Sequence, residues 1–121
     1  MTLFRISAIA ALILSCVLVA GCRGGQSHTL GAAIAPTPIV PIQQIAARKA
    51  AAPVVVEGEM IEKCPVAGCW FVLKDKTGVV RVDTKGAGFV VSDVPVHAHL
   101  TVAGTPTPGV QPGLAATGVR Y

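Results

Sequence analysis

The chain has 121 residues, 52% of them hydrophobic and 4% aromatic, with a formal net charge of +4 at pH 7. That length holds one small domain and a tether. Ten Lys and Arg against six Asp and Glu are too few for the dense basic stripe of a nucleic-acid binder, so nucleic acid is not an expected partner.

The first 22 residues read as an export signal. Arg5 supplies the charged start, Ile6 to Ala20 the apolar middle, and Leu18-Val19-Ala20-Gly21-Cys22 the small residues at the cut. The apolar run is short for a membrane span, which needs about 20 residues. A cysteine directly after the cut resembles the lipobox of bacterial lipoproteins. The resemblance implies that residues 1–21 are removed and that Cys22 becomes a diacylglycerol-bearing N-terminus. The protein would then be exported and tethered to a bacterial membrane, on the periplasmic side in a Gram-negative host. Loss of Arg5 lowers the formal charge from +4 to +3. It also leaves Cys64 and Cys69 as the thiols of a domain outside the cytoplasm, where disulfides form.

Residues 22–40 read as a tether, flexible at Arg23-Gly24-Gly25-Gln26-Ser27 and stiffer at Ala35-Pro36-Thr37-Pro38. Pro41 suits a first helical position, and the spacing of Ile42, Ile45 and Ala46 predicts a short helix over 41–51, stopped by Pro53. From Pro53 the period becomes two. Val54, Val56, Gly58 and Met60 alternate with Val55, Glu57, Glu59 and Ile61, which predicts a strand. A second strand is expected from Cys69 to Asp75 and a third from Val79 to Asp83, joined by a hairpin turn at Lys76-Thr77-Gly78. Phe89, Val90 and Val91 are expected to plug the barrel or to form a short strand. A fourth strand runs from Val96 to Ala103, a Pro/Gly-rich loop from Gly104 to Gly113, and a fifth strand from Leu114 to Tyr121.

Five short strands with one long connection fit a mainly β fold, a small five-stranded Greek-key barrel over residues 41–121. The segments Val54-Val55-Val56-Glu57-Gly58, Trp70-Phe71-Val72-Leu73-Lys74-Asp75 and Thr77-Gly78-Val79-Val80-Arg81-Val82 resemble a bacterial OB-fold domain. A short helix ahead of the first strand is similar to the periplasmic stress-associated OB-fold proteins. The resemblance implies an OB-like barrel and supplies no activity.

Cys64-Pro65-Val66-Ala67-Gly68-Cys69-Trp70 is the strongest local signal in the domain, and Cys-x4-Cys-Trp also resembles a group of uncharacterised exported OB-like bacterial domains. Three readings stay open. A disulfide would staple a small core. A copper or zinc site would need two more ligands, and His97 and His99, on one face of the fourth strand, are the candidates. A reactive dithiol is the third, although the spacing exceeds that of Cys-x-x-Cys redox centres.

On the second and third strands, inward Phe71, Leu73, Val80 and Val82 leave Trp70, Lys74 and Arg81 outward. In OB-folds this face binds oligonucleotides or sugars. The expected role is therefore non-enzymatic: an envelope module whose Trp70, Lys74 and Arg81 meet a glycan, a small ligand or a protein partner. Metal handling or thiol redox at Cys64 and Cys69, and a purely structural role, are the alternatives. No catalytic set stands out and no resident cofactor is expected, copper or zinc being the exception.

Overall fold

Stretches that alternate apolar and polar residues must each bury one side, and five of them do so here by rolling into a ring. The computed structural model describes residues 27–48, 52–108, 111 and 113–121. The signal reading and Cys22 lie outside the described residues. In chain order the strands are β1 (Thr29–Gly31), β2 (Val54–Lys63), β3 (Trp70–Lys74), β4 (Val79–Asp83), β5 (His99–Thr107) and β6 (Gly113–Arg120).

β2 pairs antiparallel with β3 on one side and with β5 on the other. β3 pairs antiparallel with β4, and β5 with β6. A parallel pair, Arg81↔Gly113 to Asp83↔Ala115, joins β4 to β6 and shuts the ring. The result is the expected OB-like, mainly β barrel of five strands.

Strand β2 is long because it serves two neighbours in succession. Its first half lies along β5, from Val54↔Gly104 to Glu59↔His99, and its second half along β3, from Glu59↔Lys74 to Lys63↔Phe71. Gly58 sits at the changeover. A Cβ there would run into the Lys74 carbonyl oxygen and reach within 3.1 Å of Leu73 Cγ, so only glycine lets the two strands approach this closely.

The inward side chains Val56, Met60, Phe71, Leu73, Val80, Val82, Leu100, Val102, Leu114 and Val119 form one core. Ile42 and Ile45, both buried, belong to the same cluster, as do Val91 and Val94 from the long connection between β4 and β5. The plug expected around Phe89–Val91 is therefore made by Val91 and Val94. Phe89 packs beside them half-buried, and Val90 is exposed. Lys63 fixes this connection by donating from Nζ to the carbonyls of Ser92 (2.8 Å) and Val94 (2.6 Å).

Four local expectations need correction. The helix over 41–51 is a single 3-10 turn, Ile42–Gln44, followed by turn residues; Ile42 and Ile45 face the core, Ala46 is exposed, and residues 49–51 lie outside the described residues. Part of the segment read as tether is sheet: β1 pairs with β6 from Thr29↔Arg120 to Gly31↔Gly118. It does so because β4 accompanies β6 only as far as Ala115 and leaves the rest of that edge open. Next, β5 runs on to Thr107 through what was read as loop, since a bulge at Ala103/Gly104 keeps it in register with β6. Finally, β5 begins at His99. His97 lies in the preceding turn with φ of 73°, so the two histidines do not share a strand face.

Candidate functional site

Pleating turns Trp70, Val72 and Lys74 of β3 and Val79 and Arg81 of β4 outward, as their burial shows. The register pairs Val72 with Arg81, which places Arg81 diagonally beside Trp70. The Arg81 guanidinium carbon lies 4.5 Å from the centroid of the Trp70 ring, a cation–π stack. The stack borders a groove of about 440 Å³ lined by Glu62, Trp70, Val72, Val79, Arg81 and, from the β5–β6 loop, Gln111. This is the face and loop position that OB-folds use for ligands. The groove presents an aromatic surface, a cation and a polar amide side by side.

Lys74 stands apart from this pair. It occupies the far end of β3, beside Glu59 and Val79, and lines a second, open groove of about 730 Å³ with Ile39, Pro41, Glu57, Ile61 and His99. The predicted trio is thus split, with Trp70 and Arg81 together and Lys74 around the barrel. The second groove has no single sequence signal. It is assembled from β2, the β3–β4 turn and the segment before the 3-10 turn, which are distant in the chain.

Around that groove Glu59 is the meeting point of the two histidines. His99 is its partner across the strands, and His97 Nδ1 lies 2.6 Å from Glu59 Oε1. Positive φ at His97 brings the ring back onto β2, held by its own N–H on the Met60 carbonyl at 2.7 Å. Among the described residues no group of three or more His, Cys, Asp or Glu gathers closely enough to hold a metal ion. Cys64, Cys69, His97 and His99 are therefore not assembled as one ligand set.

The cysteines flank the β2–β3 connection. Both are unbridged and half-buried. The Cys64 N–H donates to the Trp70 carbonyl at 3.0 Å, and the Cys69 carbonyl accepts from the Thr84 N–H at 2.9 Å and from its hydroxyl at 3.0 Å. The peptide N–H groups of Ala67 and Val66 turn toward the Cys64 sulfur and, joined by those of Gly68 and the Cys69 thiol, outweigh desolvation. They pull its pKa from the ordinary 9.0 down to about 7. Lys63, the neighbouring cation in sequence, is engaged on Ser92 and Val94.

Sequence reasoning passed over Asp75. Its carboxylate accepts from the Ile42 N–H (2.9 Å), the Thr77 N–H (2.7 Å) and hydroxyl (2.6 Å), and the Gly78 N–H (3.0 Å). The Asp-Lys-Thr-Gly turn was visible, but its bond to the Ile42 turn was not.

No protein-family model matches the chain, and no curated protein matches it. Among solved structures, that of the hypothetical protein ygiW from E. coli is similar, with a TM-score of 0.56 at 14% identity over 69% of this chain and 88% of that one. At this identity the likeness speaks for the fold, a small OB-like barrel.

Proposed function

We propose that the protein is an exported envelope lipoprotein whose OB-like barrel binds an anionic ring-bearing ligand, a glycan above all, on the β3–β4 face. The observation behind this reading is the stack of Arg81 over Trp70 beside an open groove at the usual OB-fold ligand position. Trp70 supplies the stacking plane and Arg81 the charge. Lys74, around the barrel, steers acidic groups without touching the same ring. The action is binding without chemistry. Cys22 ties the chain to the membrane by its lipid.

A screen of anionic glycans by isothermal titration calorimetry, which does not need Trp70 as reporter, tests the binding. Trp70→Ala is expected to weaken the best ligand about tenfold or more, in line with aromatic stacking platforms, at about 1–3 kcal/mol each. Arg81→Gln is expected to weaken it less and to flatten its salt dependence. Equal affinity in Trp70→Ala, with the fold intact by circular dichroism, removes this face from the reading. The anchor is checked by intact mass of the protein from bacterial membranes. A diacylglyceryl adduct on Cys22, lost in Cys22→Ser together with membrane retention, is the expected result.

A further inference from the structure

We propose that the barrel rim from which the chain leaves toward Cys22 is a membrane-docking surface, with Val66, Val90 and Val96 seated in the headgroup region of the bilayer that holds the anchor. The proposal rests on the lipid at Cys22 and is independent of the ligand face.

Strand directions bring the chain start and these valines together. β2, β4 and β6 end at one rim, and β1, β3 and β5 begin there. Bonds among the connections tie that rim into one body. The Thr84 N–H donates to the Cys69 carbonyl at 2.9 Å, the Val91 N–H to the Gly68 carbonyl at 2.9 Å, and the His97 N–H to the Met60 carbonyl at 2.7 Å. Lys63 holds the Ser92 and Val94 carbonyls. A Cβ on Gly31 would come within 2.6 Å of the Phe89 ring, so β1 abuts the β4–β5 connection. His28 is fastened at the same rim by its reciprocal bonds to Tyr121, and the two rings stack at 5.2 Å.

From there the leash is short. His28 lies six residues after Cys22. Six extended residues span about 20 Å at most, so the rim stays beside the bilayer in every pose of the barrel.

What the rim presents is apolar. Among the described residues the exposed large apolar side chains are Ile39, Ile61, Val66, Val79, Val90 and Val96. Ile39 and Ile61 line one groove and Val79 the other. The remaining three all belong to the rim. Val66, 92% exposed, is the tip of the β2–β3 connection; Val90 and Val96, 47% and 40% exposed, stand on the β4–β5 connection. Charge around them is mixed, with Lys85 and Arg120 against Glu62, Asp83 and Asp93, all exposed, so apolar contact supplies the attraction. Three valines alone hold a surface weakly, but a leash makes their contact intramolecular and raises its effective concentration. Any soluble partner would have to displace a bilayer that never leaves.

The test uses the full lipidated chain in phosphatidylethanolamine–phosphatidylglycerol vesicles whose acyl chains are brominated near the headgroup. In a Trp70→Phe background, Val66→Trp and Val90→Trp are expected to lose about a third or more of their emission relative to unbrominated vesicles, as side chains at the headgroup–acyl boundary should. Lys76→Trp, on the β3–β4 turn at the opposite rim, is expected to lose none. Position 66 quenched no more than position 76 overturns the docking. If Trp70→Phe misfolds, the same insertions with Trp70 retained decide, through quenching in excess of the unsubstituted protein. Intact mass keeps the two readings apart. An unquenched position 66 in a chain that carries the diacylglyceryl adduct sinks the docking alone, whereas a chain from its native membranes without the adduct sinks the anchor and the docking together.

Discussion

One carboxylate ties together two parts of the chain that have no local reason to meet. Partial burial of Asp75 opposes its charge. The Thr77 hydroxyl and the N–H groups of Ile42, Thr77 and Gly78 more than offset it, and they hold the carboxyl below its ordinary 3.8. A carboxyl that ionises more readily folded than unfolded stabilises the fold when charged. Its contribution is complete above the unfolded value of about 4 and disappears as pH falls through the lower folded value. Asp75→Ala is accordingly expected to cost about 1–2 kcal/mol in urea unfolding at pH 7. The gap to wild type should narrow at pH 3, and a gap independent of pH would show that the charge is not what matters. At this scale the sequence is legible where partners are close. The Asp-Lys-Thr-Gly turn can be read from its residue types, but Ile42 lies 33 residues away. The same holds for Glu59 and His97, 38 residues apart, which only the β2–β5 register brings into contact.

Among the elements, β1 shows most clearly where pattern reading stops. It has three residues and one half-buried side chain, Leu30, so neither period two nor length announces a strand. Its cause is tertiary, the open flank of β6 beyond Ala115. Reciprocal bonds between His28 and Tyr121 (2.8 and 3.0 Å) and the Ala32 N–H on the Thr117 carbonyl (2.9 Å) complete the seal. Leu30→Asp is expected to detach this strand while the ring stays closed. Amide hydrogen exchange at Ala32 and Tyr121 should then rise roughly tenfold or more, with core amides of β2 unchanged, and the bared edge should promote self-association on size exclusion. Unchanged exchange at both sites would mean that Leu30 does not hold the strand. β2, β3, β4 and β6, by contrast, were legible because each keeps period two over five or more residues, whereas the Gly and Pro after Ala103 hid the second half of β5. The 41–51 stretch carried helical spacing in Ile42 and Ile45, but the N–H groups of Gln44, Ile45, Ala47 and Arg48 bond to carbonyls three residues back, which makes it a succession of tight turns instead.

Across the whole molecule the strands and their inward faces follow from alternation, the ring from the number of strands, one long connection and the OB-fold resemblance, and the site follows only in part. Trp70 and Arg81 were readable as outward neighbours because the hairpin fixes their register. Lys74 obeys the same parity, but parity says nothing about distance along the strand, and the barrel curves it into another groove. The lowered pKa of Cys64 was hidden altogether, since it arises from main-chain N–H groups that any residue types could supply.

The ring is shut by β6, which pairs in parallel with β4 and antiparallel with β5. Neither seam can form until the last strand is available, and the β2–β5 seam must also bring Val54 to Gly104. The β4–β6 and β2–β5 pairings are long-range and of the kind that slow folding, whereas β5–β6 is a hairpin. A chain made this way cannot close its ring for as long as its final segment is held back. If it crosses a membrane extended, the barrel snaps shut only on the far side, once Leu114 and Val119 have followed the rest through.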